Sequence, residues 1–129
     1  MRVTENFTFE ELTKTGTGLE NTPGWGESKN LLWLATYLLQ PIRDKWGAIK
    51  VHSAFRSTQV NSVVGGKNNS QHLHGEAADI SCSVNNLEMF KWIVDNLKFG
   101  ECIYEKMPEH EWVHVSLPAV HSRQQSLTF

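Results

Sequence analysis

Apolar positions recur at helical spacing in the first half of the chain and in short alternating runs further on. From Ser28, a residue type that caps helix starts, the positions Leu31, Leu34, Ala35, Leu38, Ile42 and Trp46 share one helical face. Pro41 interrupts this run and is expected to kink or break it, and Gly47 ends it. Upstream, Thr8 and Glu11 have capping-box spacing, with Phe7 and Leu12 placed to staple it. A short helix is expected there, ending near Gly16-Thr17-Gly18, followed by a loop over 19–27 around Pro23, Gly24 and Gly26. Ile49 to Phe55 predicts a strand, and 57–64 a short helix before Gly65-Gly66. Ala77 to Ser81 predicts a second strand. Asn85 with Glu88 opens a helix whose core stripe is Leu87, Phe90, Ile93, Val94 and Leu97, with Gly100 as the stop. Cys102 to Tyr104 and Trp112 to Leu117 predict two more strands around a turn at Pro108. Pro118 closes the last of them, and the polar tail over 118–129 is expected to pack loosely. The order predicts an α+β domain, a small, mainly antiparallel sheet flanked by helices.

Composition narrows this picture. The 129 residues suit a single domain over 1–129, with a motif-bearing core of about 6–117. Hydrophobic residues make up 40%, and five Trp and six Phe supply enough bulk for a core without staples. A net charge of −2 does not give the basic surface expected of a nucleic-acid partner. No apolar run approaches the roughly 20 residues that span a bilayer, so no membrane insertion is expected. The start lacks an apolar h-region and a small-residue cleavage site, so the protein is expected to be cytoplasmic as synthesised. Cys82 and Cys102 lack CxxC spacing and are expected to be buried free thiols.

The chemistry concentrates in a few short stretches. Ser70-Gln-His72-Leu-His74-Gly75-Glu-Ala77-Ala-Asp79 places two imidazoles and a carboxylate around a glycine just before a strand. A catalytic zinc takes three protein N/O ligands and leaves one position open. His72 and Asp79 could supply two, the third coming from far along the chain. Gly75 would allow a sharp turn or a close approach to the metal. His110-Glu111-Trp112-Val113-His114 satisfies H-E-x-x-H as a string. That motif needs its histidines one helical turn apart, whereas Trp and Val favour a strand here. Residues four apart on a strand lie about 13 Å from each other, too far to share one zinc. Glu111 with His114 remains, as base and ligand, but positions three apart on a strand face opposite ways. Glu111 must then lie in the turn before the strand or at a bulge. Arg56, after the strand containing Val51-His52-Ser53, is of a type that holds carboxylates or polarises carbonyls.

Taken together, these stretches resemble the zinc D-Ala-D-Ala carboxypeptidase family, which includes phage L-alanyl-D-glutamate endopeptidases and shares its scaffold with hedgehog-type signalling domains. The resemblance rests on S-x-H-x-x-G-x-A-x-D at Ser70–Asp79, E-x-x-H at Glu111–His114 and S-x-F-R-S at Ser53–Ser57. The flanks Asn21-Thr22-Pro23, Leu39–Arg43 and Asn61 to Gly66 resemble the short, often phage-borne branch. It implies one Zn2+ per chain on His72, Asp79 and His114, with Glu111 as general base and Arg56 orienting substrate or stabilising an oxyanion. Ser70, Ser57, His74 and Trp112 become candidates for substrate binding or ligand support. Trp112 and Tyr104 are read either as cleft or as core, and His52, His110 and His121 as ordinary polar positions. The implied activity is zinc-dependent hydrolysis of peptidoglycan stem peptides, as carboxypeptidase or endopeptidase. The expected protein is a monomer that acts on the cell wall, either host-encoded or phage-borne and then released by phage lysis or carried in the virion. The rival reading is a zinc-binding module without catalysis, whose site a fourth protein ligand such as His74 would close.

Overall fold

The structure is a computed structural model that describes residues 1–118 and the strand 125–128. It has the expected α+β class. The chain opens with a two-stranded antiparallel pair, β1 (Arg2–Thr4) and β2 (Phe7–Thr8), which the sequence pattern did not predict. Helix α1 (Phe9–Thr13) follows, and the Thr8 hydroxyl accepts from Glu11 N at 3.1 Å, as the capping spacing requires.

The long helical run differs from expectation at two points. Helix α2 (Trp25–Leu34) begins three residues before Ser28. Glu27 accepts from Gly24 N at 3.0 Å and so satisfies the helix start, while Ser28 donates to the Gly24 carbonyl from inside the first turn. Nor does Pro41 break the run. A π turn over Ala35–Leu39 leads directly into α3 (Gln40–Trp46), with Pro41 in the first turn of α3 and Gln40 N–H bonded to Ala35 O. The widened turn accommodates a residue that has no N–H to donate and whose ring crowds the preceding turn. Gly47, at φ 79°, ends α3.

The main sheet comprises β3 (Ile49–Ser53), β4 (Ala77–Cys82), β6 (Glu111–Ser116), β5 (Glu101–Lys106) and β7 (Gln125–Thr128), in that spatial order. All neighbours are antiparallel except β5 and β7, which pair in parallel. Residues 125–128 of the tail therefore form an edge strand, correcting the expectation of a loose tail for those residues. His121 lies outside the described residues. Helix α4 (Thr58–Val63) and a 3₁₀ turn (Gln71–His74) lie between β3 and β4, and α5 (Asn86–Asn96) follows β4.

Alternation assigns the two faces of the sheet. Val51, Ala78, Ile80, Cys102, Tyr104, Val113 and Val115 are buried in the core with Leu31, Leu34, Leu38 and Ile42 of the long helical run. Helix α5 adds Phe90 and Ile93 from the predicted stripe, and Met89, which the stripe omitted. Each such buried side chain contributes about 1.5–3 kcal/mol. The opposite face carries Asp79 and His114, paired across β4 and β6. Cys102 is buried and Cys82 half-buried, both free thiols. Among the described residues, no helix is long and apolar enough to cross a membrane.

Candidate metal centre

The centre forms where three segments distant in sequence meet. β4 supplies Asp79 and β6 supplies His114 at one register position of the ladder. His72 arrives on the 3₁₀ turn, whose start is capped by the Ser70 hydroxyl accepting from His72 N at 3.2 Å. Gly75 ends that turn in the left-handed region at φ 73°. A Cβ there would lie 2.5 Å from the Glu27 carbonyl oxygen, so the glycine is needed for close approach to α2 rather than to a metal.

One ligand atom from each of His72, Asp79 and His114 lies within 4.8 Å of the others. His114 Nδ1 is 2.9 Å from Asp79 Oδ1, and His72 Nε2 is 3.3 Å from Asp79 Oδ2. The remaining imidazole nitrogens have acceptors of their own. His72 Nδ1 lies 2.6 Å from the Ala54 carbonyl, and His114 Nε2 lies 3.1 Å from Gln71 Oε1 and 3.4 Å from Glu101 Oε1. A neutral imidazole bonded in this way donates N–H outward and turns its lone pair toward the other ligands. The donor set, two imidazoles and a carboxylate, therefore fits a zinc ion with a position left open.

Electrostatics supports the grouping. Burial pushes the Asp79 carboxyl up, but the hydrogen bonds and charges of His114 and His72 outweigh it and hold it well below the usual carboxylate range. Burial lowers His114, yet bonding to Asp79 and the charges of Asp79, Glu101 and Glu105 raise it above an ordinary histidine.

Arg56 reaches the same place. Its Nη2 lies 3.4 Å from Asp79 Oδ2, while Nε donates to Ser53 Oγ at 3.1 Å and Nη1 to Asn61 Oδ1 at 3.2 Å. Gly66 permits this packing, because a Cβ there would overlap Asn61 Oδ1 at 2.0 Å. Asn21 ties the segment to the helical half, donating to the carbonyls of Thr13 and Phe55 and accepting from Ser57 N at 2.6 Å.

The other expected residues divide. Ser70 acts on the backbone of a ligand, as its cap shows. Ser57 caps α4, accepting from Val60 N at 3.2 Å and donating to the Glu20 carbonyl. His74 is exposed and outside the triad, its carbonyl accepting from Asn30 at 2.9 Å. Trp112 stacks on His110, with ring centroids 5.3 Å apart. Tyr104 belongs to the core, packed 6.1 Å from the Phe90 ring. Glu111 is the one expected catalytic group not brought to the triad. It opens β6 opposite Lys106, the register is regular through to His114, and its carboxylate accepts from Tyr104 Oη at 2.5 Å. Neither a bulge nor a preceding turn carries it across. On the triad's face the acids are Glu101 and Glu105, and burial followed by the Asp79 charge raises the Glu105 carboxyl. Gln71 and Glu101 were missed from sequence. Gln71, between Ser70 and His72, carried the only local signal; Glu101 required the β5–β6 register.

Comparison with known proteins agrees with this arrangement. The sequence pattern of the Peptidase M15 family matches residues 5–116, a stretch that contains every residue of the centre. A zinc D-Ala-D-Ala carboxypeptidase of Streptomyces albus G is 30% identical over 115 residues, covering 86% of this chain and 45% of that protein. The chain thus spans about half the length of the curated relative it matches. The matched region runs from just after β1 to the end of β6 and includes the triad, and the chain belongs to the Peptidase M15 family.

Proposed function

We propose that the protein is a monomeric zinc peptidase that hydrolyses a peptide bond in the stem peptides of bacterial peptidoglycan. The observation that carries this reading is the convergence of His72, Asp79 and His114, each backed by its own acceptor or partner. Bound there, zinc would supply Lewis acidity to water and to the scissile carbonyl. Arg56, fixed by Ser53 and Asn61, orients the substrate through a carboxylate or carbonyl oxygen next to the triad. Glu111 takes the proton from water and returns it to the leaving amine, which requires it to swing away from Tyr104. Glu105 is a second candidate for that role, favoured by its place on the triad's face and its raised carboxyl. The position of His74 outside the triad speaks against a metal site closed by a fourth protein ligand. The resemblance to short phage-borne members suggests a lytic factor that meets the wall during infection or release.

Purified peptidoglycan digested with zinc-loaded protein, with fragments identified by mass spectrometry, tests this reading. Loss of terminal D-Ala identifies a carboxypeptidase, and new amino termini within the stem identify an endopeptidase. Glu111→Gln and Glu105→Gln, run in parallel, assign the base to whichever variant is silent. No cleavage across several wall chemotypes would overturn the hydrolase reading.

A further inference from the structure

A cavity of about 300 Å³ adjoins the centre through Arg56. It lies between the end of α1, the end of β3 and the start of α4. Lys14, His52 and Arg56 line it together with Thr15, and Phe55 and Val60 form an apolar wall. Among the described residues, no acidic side chain contributes to it. Lys14, among the described residues, has no carboxylate partner, whereas Arg56 is already bonded to Asp79. Burial, then the charges of Lys50 and Lys14 against that of Asp79, lower His52, whose Nε2 is already bonded to Ser81 Oγ at 2.7 Å, so it adds a polar wall rather than a charge. The Thr15 hydroxyl is held by the turn, 3.0 Å from that of Thr17. A cavity with one unpaired ammonium, a shared guanidinium, fixed polar groups and an apolar wall is complementary to a carboxylate on a short aliphatic arm.

We propose that this cavity is an anion subsite in which Lys14 grips a free side-chain carboxylate of the peptide substrate, next to the bond held at the centre. The inference rests on the peptidase reading and deepens it. It makes the preferred substrate a peptide with a second free carboxylate close to the scissile bond, and Lys14 a specificity-determining residue.

Two short synthetic stem-type peptides, identical except that one side-chain carboxyl is free or amidated, test it. Binding is measured by calorimetry on the metal-free protein, and KM on the zinc-loaded protein. Wild type is expected to bind the free-carboxylate peptide about fivefold more tightly, with a matching difference in KM. Lys14→Met is expected to remove that preference, so that amidation and the substitution together cost no more than either alone. Lys14→Arg is expected to retain it. Equal binding of the two peptides by wild type, or an equal loss for both on Lys14→Met, would overturn the subsite. Selective binding without hydrolysis would leave the subsite standing and overturn the peptidase reading instead.

Discussion

At the residue scale, the informative groups are those that hold the ligands rather than the ligands themselves. Gln71 and Glu101 accept at His114 Nε2 and thereby leave Nδ1 as the nitrogen available to a metal. Gln71→Leu is expected to weaken zinc binding about tenfold while leaving the apo melting temperature near wild type, measured by chelator competition and calorimetry. A second prediction follows from the raised His114. The proton on that imidazole competes with metal, so zinc affinity should rise with pH until His114 has lost its proton, at a pH above that of an ordinary histidine. Chelator titrations from about pH 5 to about pH 9 check this, and a flat profile would contradict it. Cys102 gives a third. Burial pushes its thiol up to about 12, so folded protein at about pH 8 should leave it unmodified by thiol reagents. The unfolded thiol ionises first, so this group's contribution to stability is complete below about pH 9 and is lost as pH rises toward 12. The triad was legible in sequence because its spacing is that of a known ligand set. The orientation of Glu111 was not, because strand alternation and a tyrosine on the neighbouring strand decide it together.

At the element scale, caps and stripes were readable where a side chain makes the bond. Thr8 and Asn85 cap as their spacing suggests, and Ser57 caps α4 although the sequence marks it only as a candidate for substrate binding or ligand support. The start of α2 was hidden because its cap is a glycine and Glu27 reaches back to it. The passage through Pro41 was hidden because a proline signals a break, whereas the π turn absorbs it without interrupting the helix. The edge strand β7 and the pair β1–β2 left no signal: both are short, and their pairing is set by a neighbour rather than by their own alternation. Gly75 joins two elements, and Gly75→Ala combines a left-handed backbone with a Cβ against the Glu27 carbonyl. It should lower stability by about 2 kcal/mol or more and weaken zinc binding through displacement of the His72 turn, measured by denaturant unfolding and metal titration.

At the scale of the whole molecule, the core and the centre lie on opposite faces of one sheet. The core is apolar and continuous through the long helical run and α5, so the fold is expected to stand without a bound metal. Removing zinc with a chelator is therefore expected to lower the melting temperature without unfolding the protein at about 25 °C, as circular dichroism would show. Loss of secondary structure on chelation would contradict this.

The spatial strand order has a consequence for the protein during its synthesis. β4 is made well before β6, and β6 lies between β4 and β5 in the sheet. A nascent chain that has released His72 and Asp79 from the ribosome still lacks the strand that presents His114 beside them. The three candidate ligands thus come together only once β6 has emerged, and a product truncated before His114 inherits at most two of them. Premature termination before His114 is expected to yield a fragment without the complete ligand set.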